Sequence, residues 1–283
     1  MSASSQGFRA RLGVGRTPLG IAGATVLLTG ATGGLGRAIA AALHERGAQL
    51  VLSGRRVTEL ASVADPLEAR TILADLTVAE DVARLCEEAA AAEVDVLIAN
   101  AGLPASGLLT DLTPHAVDRM LDVNLRAPIM LARALVPSML ARGRGHLVFV
   151  SSLSGRAASP ATPMYSATKF GLRGFALALR QDLQRRGVGV SLVSPGFIRE
   201  AGMFAEAGVQ LPPGTGTKSP ADVAAAVIRA IETGRAEIDV APLPLRLGAT
   251  FASLAPQLAA SASRLAGSDR IGGEFAERQR HKR

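Results

Sequence analysis

The chain has 283 residues, of which 48% are hydrophobic and 3% aromatic, and its formal net charge is +7. This length is sufficient for one large α/β domain with an aliphatic core. The single Cys86 excludes an intrachain disulfide, and the four His residues show no metal-ligand spacing, so we predict no metal site and a reducing, cytoplasmic location. The basic excess lacks the interleaved aromatic residues of single-strand binding proteins, so we predict no nucleic-acid partner.

The N-terminal segment, residues 1–22, contains Arg9, Arg11 and Arg16 and no acidic residue. It shows no hydrophobic region followed by a cleavage site, and no apolar run of the chain reaches the roughly 18 residues of a membrane-spanning helix. We interpret residues 1–22 as a flexible leader, with a targeting peptide as the alternative.

Seven short apolar segments rich in β-branched residues alternate with longer Ala- and Leu-rich segments. The predicted strands are Ala24–Thr29, Gln49–Leu52, Thr71–Ala74, Val94–Ala99, His146–Ser151, Gly189–Val193 and Glu237–Val240. Strands that alternate with helices predict a parallel sheet with right-handed crossovers and helices on both faces. The predicted fold is therefore a Rossmann-like, doubly wound, seven-stranded α/β domain over residues 23–242. A lid is predicted at about 199–218, and residues 243–283 form a helical extension with a basic tail.

A glycine-rich turn, Thr29-Gly30-Ala31-Thr32-Gly33-Gly34-Leu35-Gly36, connects the first predicted strand to a helix. This arrangement is typical of dinucleotide sites, because glycine lets the backbone approach a pyrophosphate at a helix N-terminus. The turn fits two patterns, TGxxxGxG and TGxxGxxG, which differ in whether Gly34 or Gly33 is the second glycine.

The end of the second predicted strand indicates which nucleotide binds. The sequence there is Ser53-Gly54-Arg55-Arg56 and lacks the acidic residue that commonly holds the ribose 2′-hydroxyl of NAD. Guanidinium groups pair well with a 2′-phosphate, so NADP(H) is favoured and NAD(H) is the alternative. One or both arginines could instead be solvated residues at the start of the next helix.

Three residues in the middle of the chain form a candidate proton-transfer site. Tyr165, the only tyrosine, and Lys169 are four residues apart and would share one face of a helix, and Ser152 follows the fifth predicted strand. An ammonium about 4 Å from the phenol would stabilise the phenolate and bring the pKa of Tyr165 near 7. Ser152 could donate to a developing alkoxide, so the set suits hydride transfer to or from a carbonyl.

These motifs, in this order, resemble the short-chain dehydrogenase/reductase family, over about residues 24–240. The total length and the Asn100-Ala101-Gly102 motif favour its short reductase branch, and TGxxGxxG is the variant of the longer, epimerase-like relatives. The resemblance implies a catalytic tetrad of Asn124, Ser152, Tyr165 and Lys169, with Lys169 also holding the nicotinamide ribose. It implies that Asp75 reaches the adenine edge and that Asn100 steadies the sheet. It also implies a homodimer or homotetramer, built through the helices carrying Asn124 and Tyr165. The implied nucleotide-binding residues are Gly30, Thr32, Gly33, Gly34, Leu35, Gly36, Arg55, Arg56, Asp75, Leu76, Asn100, Ala101, Gly102, Tyr165, Lys169, Pro195, Gly196 and Ile198.

Two local features go beyond the family pattern. Pro128 cannot donate to the carbonyl of Asn124, so we predict a helix kink there and a buried Asn124 whose free carbonyl binds a water. The family usually has a threonine four residues after Gly196, where this chain has Glu200, preceded by Arg199. These two residues could pair with each other or face the substrate.

The substrate side is defined by apolar residues. Met203, Phe204, Val209 and Leu211 in the predicted lid favour a lipophilic ketone or secondary alcohol, although these side chains could belong to the core. Leu247, Phe251, Leu254, Leu258 and Leu265 recur at helical spacing. We favour a role for this stripe in covering the pocket or contacting another subunit over a membrane contact.

The predicted function is NADP(H)-dependent interconversion of a carbonyl and a secondary alcohol. Two other classes remain as alternatives: a non-catalytic nucleotide sensor on the same scaffold, and a lipid-surface protein that uses the C-terminal stripe. Sensors of this kind usually lack the tyrosine or the lysine, and this chain has both.

Overall fold

The protein is built around one sheet of seven parallel strands. The computed structural model describes residues 19–104, 107–208, 211, 215–265, 273–274 and 277–278. The strands are β1 (Thr25–Thr29), β2 (Gln49–Gly54), β3 (Arg70–Leu73), β4 (Val96–Ala99), β5 (Gly145–Val150), β6 (Val188–Pro195) and β7 (Glu237–Val240). Their spatial order is β3-β2-β1-β4-β5-β6-β7, and every neighbouring pair is parallel. The predicted parallel sheet is confirmed.

Helices connect successive strands and cover both faces of the sheet. They are α1 (Gly34–His44), α2 (Val57–Ala64), α3 (Ala79–Ala91), α4 (Pro114–Leu121), α5 (Ala127–Ala141), α6 (Pro163–Leu183), α7 (Gly202–Ala207), α8 (Pro220–Thr233), α9 (Leu243–Leu254) and α10 (Pro256–Leu265). Short 3₁₀ turns lie at Asp65–Leu67, Leu109–Asp111 and Leu153–Gly155, and a π-helical turn at Asp122–Arg126 joins α4 to α5.

Two aliphatic clusters, one on each face of the sheet, form the core. Helices α1 and α8 pack together on one face, where Ile39 and Val227 are fully buried. Helices α3 and α5 pack together on the other, with Leu85 and Leu135 fully buried. Strands buried on both faces read as continuous apolar segments, which is why the sequence pattern was informative here.

The strand order reverses between β1 and β4, because the chain moves from β1 outward to β3 and then crosses back to β4. In open parallel sheets of this kind, the crevice at the carboxyl ends of the strands around this reversal is where ligands bind. Several of the predicted functional residues, among them Arg55, Asn100 and Ser152, follow these same strand ends, whereas Tyr165 and Lys169 lie on α6.

A residue of the stretch assigned to the N-terminal leader belongs to the folded body. Ile21 is 5% exposed and packs in the core, so the folded body includes the last residues of the stretch assigned to the leader. Residues 1–18 and most of the predicted extension and basic tail after residue 265 lie outside the described residues. Within the described ranges, no helix combines the length and apolar character needed to cross a bilayer.

Candidate active site

A cleft of about 1580 Å³ opens at the carboxyl ends of the strands. It is lined by every residue that the sequence predicted to bind nucleotide, together with Ser152. The volume exceeds the 300–1,000 Å³ typical of small-molecule pockets. The cleft therefore has room for a dinucleotide and a second molecule beside it.

The glycine turn between β1 and α1 is tightly closed. Gly30 has a φ of +65°, and a Cβ on Gly36 would lie 2.2 Å from the Gly30 carbonyl oxygen. A Cβ on Gly34 would lie 2.3 Å from Ala201 Cβ, whereas one on Gly33 would meet only the Gly30 oxygen, at 3.5 Å. The close approach therefore requires Gly34 rather than Gly33, which decides the pattern in favour of TGxxxGxG.

Replacing Gly34 with Ala is expected to destabilise the protein by about 1–3 kcal/mol, because the new methyl overpacks against Ala201. The measurement is the free energy of unfolding in urea without nucleotide. The matched test is Gly34→Ala combined with Ala201→Gly, which removes the opposing methyl and should recover most of the loss. An undiminished loss in the double variant would show that the contact with Ala201 is not the cause.

The end of β4 is tied to the end of β1 through Asn100. Its side-chain amide donates to the carbonyl oxygens of Thr29, at 3.1 Å, and Gly30, at 3.2 Å. In return, the Thr29 hydroxyl accepts from the backbone N–H groups of Asn100 and Ala101. These bonds hold the two strand ends together where the strand order reverses. Asn100 thus occupies the steadying position that the family resemblance implied.

Two arginines line the cleft at the end of β2, and each faces a carboxylate. Arg55 lies 3.7 Å from Asp75 Oδ2, and Arg56 pairs with Glu59. Asp75 Oδ1 also accepts from the backbone and hydroxyl of Thr77. Burial alone would raise the pKa of Asp75, but its bonds from Thr77 and the nearby charge of Arg55 hold that pKa below its usual value.

Ser152, Tyr165 and Lys169 meet at the base of the cleft. Ser152 follows β5, and its side chain lies close enough to the Tyr165 phenol to favour the ionised form. Tyr165 and Lys169 lie one turn apart on α6, and the Lys169 Nζ stands 5.7 Å from the centre of the Tyr165 ring. The Lys169 Nζ donates to the Val150 carbonyl oxygen at 3.1 Å. The predicted trio is therefore assembled, but the ammonium is bonded to the backbone of β5.

Burial controls the ionisation of this trio. Desolvation raises the pKa of Tyr165, and the nearby Ser152 side chain only partly offsets it. Desolvation also lowers the pKa of Lys169 to about 8. The expectation of a phenol near pKa 7 is therefore wrong for the protein without nucleotide, because it counted the attraction of Lys169 and left out the cost of burying a phenolate.

Asn124 lies behind the cleft and is fully buried. Its side-chain oxygen accepts from the backbone N–H of Leu103 at 2.7 Å, and its amide donates to the Leu103 carbonyl at 3.0 Å and the Thr168 hydroxyl at 3.4 Å. The π-helical turn at Asp122–Arg126 confirms the predicted departure from a regular helix before Pro128. A water on the Asn124 carbonyl stays a prediction.

Comparison with known proteins identifies this arrangement. Residues 24–211 match the family model described as short chain dehydrogenase. The chain belongs to the short-chain dehydrogenase/reductase family. It is 34% identical to the ketoacyl reductase HetN of Nostoc sp. over 83% of this chain and 84% of that protein. It is also 34% identical to dehydrogenase/reductase SDR family member 7B of Xenopus laevis, over 83% of this chain and 79% of the relative.

Solved structures of the family superpose on the same fold. A metagenomic short-chain oxidoreductase in complex with NADP is 31% identical, with a TM-score of 0.68, and the match covers 79% of this chain and 99% of that one. A short-chain dehydrogenase from Sphingobium yanoikuyae in complex with NADPH is 26% identical, with a TM-score of 0.71, and the match covers 87% and 94% of the two chains. The protein is an oxidoreductase of this family.

The predicted lid departs from the family pattern at Glu200. This residue has a φ of +71°, and its side chain is 63% exposed and pairs with Arg199 at 2.7 Å. Of the two expectations for these residues, the mutual pair is what the structure contains. The lid is anchored at its base, where Arg199 N–H donates to the Lys218 carbonyl and Lys218 N–H donates to that of Phe197. Val209 lies outside the described residues.

The C-terminal helices α9 and α10 form one wall of the cleft. Leu245, Ala249 and Ala252 on α9 and Pro256 and Ala260 on α10 face the cavity. Of the predicted stripe, Leu247, Leu254 and Leu258 are exposed and do not line the cleft, whereas Phe251 is half exposed and does line it. The alternative in which this segment covers the pocket is therefore supported by its inner face.

Sequence reasoning missed an ionic cluster next to the trio. Arg156, Arg173, Glu237 and Asp239 come from three different elements and are only partly exposed. The available signal was weak: Arg173 continues the one-turn spacing of Tyr165 and Lys169, and two acids on an edge strand are unusual in so apolar a sheet.

Proposed function

We propose that the protein interconverts a lipophilic ketone and its secondary alcohol with NADP(H) as the coenzyme. The observation that carries this proposal is the contact of the Ser152 and Tyr165 side chains, with Lys169 one turn away, inside the cleft that also contains the glycine turn. Two family members of similar fold are described in complex with NADP and NADPH, which supports the choice of coenzyme.

The residues present fit that coenzyme. The glycine turn leaves a cradle that a Cβ at Gly34 or Gly36 would fill, and the backbone N–H groups at the start of α1 suit a pyrophosphate. Arg55 and Arg56 line the cleft at the end of β2, the position that contacts the adenosine ribose in sheets of this type. Their guanidinium groups would hold the 2′-phosphate that distinguishes NADP from NAD.

Each residue of the trio has a distinct part in the proposed reaction. Bound NADPH supplies a hydride to the carbonyl carbon. The Ser152 hydroxyl donates a hydrogen bond to the substrate oxygen, and Tyr165 gives that oxygen a proton as negative charge develops. Lys169, with a pKa of about 8, is mainly protonated at neutral pH and stabilises the tyrosinate left behind. Asn124 positions the Leu103 backbone beside the cleft.

The proposed substrate class follows from the lining around this trio. Phe204 and Leu211 of the lid and Leu245, Ala249 and Phe251 of α9 line the cleft with apolar groups. Phe204 of the lid packs against Phe197, which lies just before the lid, with ring centres 5.0 Å apart. Such walls favour a hydrocarbon chain or ring system on either side of the reacting carbonyl.

The test is a screen of paired ketones that differ in apolar size, with NADPH consumption at 340 nm as the readout. We expect kcat/KM to rise by about tenfold for every two methylenes added, at about 0.8 kcal/mol for each buried methylene, until the cleft is full. A short polar ketone with the same reacting group is the control. Equal kcat/KM for the polar and apolar ketones would refute the substrate class, and no turnover of any carbonyl would refute the reaction.

A homodimer or homotetramer is part of the proposal. Phe170 on α6 is 42% exposed and Leu121 on α4 is 36% exposed, and these helices lead into the site. Large apolar side chains exposed on neighbouring helices favour contact with another subunit. Light scattering of the purified protein should therefore give a mass of two or four chains, and a monomer would contradict this part.

A further inference from the structure

A partly buried ionic cluster lies directly behind the proposed catalytic side chains. The Glu237 carboxylate, at the start of β7, receives Arg156 Nη2 at 2.8 Å and Arg173 Nε at 2.7 Å. Arg173 Nη2 also donates to the second oxygen of Glu237 at 3.2 Å. Arg156 Nη1 lies 3.3 Å from Asp239. One carboxylate therefore binds two arginines from different parts of the chain.

The two arginines come from the two segments that must meet in the active site. Arg156 follows Ser152 by four residues and ends the 3₁₀ turn Leu153–Gly155. Arg173 follows Lys169 by one helical turn and Tyr165 by two turns, on the same side of α6. Glu237 thus links the segment that carries Ser152 to the helix that carries Tyr165.

The segment after Ser152 packs directly against α6, so a movement of one would displace the other. A Cβ on Gly155 would lie 2.8 Å from the Lys169 carbonyl oxygen, so the 3₁₀ turn touches the backbone of α6. Ser151 Oγ donates to the same carbonyl at 3.4 Å, and Ser253 Oγ on α9 donates to the Arg156 carbonyl at 3.1 Å. A shift of Arg156 would therefore move the turn that follows Ser152.

The burial of the cluster sets it apart from ion pairs on the surface. Arg156, Asp239 and Glu237 have side chains that are 14%, 11% and 20% exposed, whereas the Arg46–Glu232 pair is 51% and 43% exposed. Burial alone would raise the pKa of Glu237, but the bond from Arg173 and the charge of Arg156 hold that pKa below its usual value. Removing the charge would leave two arginines facing a neutral group in a partly dry site.

We propose that Glu237 is a positioning residue that, through Arg156 and Arg173, holds Ser152 close to Tyr165. This inference rests on the proposed function for its kinetic consequence, but the contact itself can be tested without turnover. Tyr165 is the only tyrosine and the chain has no Trp, so tyrosinate absorbance at 295 nm reports on this one side chain.

The test compares Glu237→Gln with the native protein and with Ser152→Ala. The nearby Ser152 side chain favours ionised Tyr165, so moving it away should lower the ionised fraction at a fixed alkaline pH at which circular dichroism shows an intact fold. Removing a negative charge without moving Ser152 would do the opposite, since the net charge of the cluster behind Tyr165 would then be more positive: Arg173 would lose its carboxylate, while Arg156 would keep Asp239. We expect Glu237→Gln to lower the ionised fraction, as Ser152→Ala does. An unchanged or higher fraction would overturn the proposal.

Kinetics provide the second readout. Glu237→Gln should lower kcat per nucleotide-binding site by about tenfold or more, with nucleotide Kd unchanged within about twofold, and should have little further effect in a Tyr165→Phe background. The matched control, Glu232→Gln, breaks the exposed pair with Arg46 and should leave kcat and absorbance unchanged. If Glu237→Gln does not fold, Arg173→Gln removes one side of the link and carries the same expectations.

An unchanged kcat per site would overturn the proposal. An inactive native protein would refute the proposed function alone, because the absorbance test would still stand.

Discussion

Replacing Tyr165 with Phe is expected to lower kcat for ketone reduction by about 10²–10⁴-fold, the usual contribution of a positioned general acid. The substitution removes the hydroxyl that contacts Ser152 and retains the ring that packs beside Lys169. Nucleotide affinity should therefore stay within about twofold of the native value, since only the proton donor is lost. The measurements are single-turnover NADPH oxidation and nucleotide titration by calorimetry.

The control pair for this experiment uses two lysines. Lys169→Met removes a buried ammonium from the trio, whereas Lys218→Met removes one that is 39% exposed at the base of the lid. We expect the first to abolish most turnover and the second to have little effect on it. A Tyr165→Phe protein that keeps its catalytic rate would refute the assigned role. If the native protein has no activity and the Tyr165→Phe protein keeps a nucleotide-dependent output, the sensor alternative would be favoured.

The raised pKa of Tyr165 also sets a direction for pH dependence. Because the phenol is mainly protonated at neutral pH, it is ready to act as an acid in reduction. Alcohol oxidation requires the ionised form, so its rate should rise with pH until the pKa of Tyr165 is reached, whereas reduction should lose rate over the same range. Initial rates in both directions across pH 6–10 would reveal the two trends, and parallel profiles would contradict them.

Replacing Arg55 and Arg56 together with Ala is expected to lower kcat/KM for NADPH by about 10–150-fold or more, while NADH changes little. A hydrogen bond to a charged group contributes about 1.5–3 kcal/mol, and the 2′-phosphate is the only group that separates the two coenzymes. The readout is the ratio of kcat/KM for NADPH to that for NADH. A native preference for NADH by a wide margin would refute the assignment.

The carboxylates that face these arginines provide a sharper control. Arg56 pairs with Glu59, and Arg55 with Asp75, so each phosphate contact must compete with an acid already in place. Glu59→Gln should therefore improve NADPH binding by a fewfold, opposite in sign to the arginine variant. Arg46→Ala breaks the exposed pair with Glu232, which lies near the end of α8, and should change the binding of neither coenzyme. If Glu59→Gln weakened NADPH binding, Glu59 would itself be a nucleotide contact.

The sequence pattern correctly predicted the features that depend on residues close together in the chain. The buried strands read as continuous apolar segments, the glycine turn as a strand-to-helix reversal, and the Tyr165–Lys169 spacing as one helical face. Pro128 predicted the irregular turn because a proline removes one helical hydrogen bond whatever surrounds it. Ser152 could be placed on the same edge as the glycine turn because parallel strands bring their carboxyl ends together, whereas the other cleft residues were implied by the family resemblance.

Long-range contacts and burial could not be derived in this way. Which of Gly33 and Gly34 is required depends on Ala201, more than 160 residues away, and the Glu237 cluster joins three elements distant in sequence. The ionisation of Tyr165 depends on how much water the fold removes from the phenol, which no spacing of residues encodes. The amino-acid sequence alone determined the order of strands and helices and the turn chemistry, and it named the side chains proposed to react, because these features follow largely from contacts between near neighbours. Only the tertiary structure decided which of those side chains touch, which charges are buried together and how strongly each holds its proton, because desolvation and packing are properties of the assembled chain.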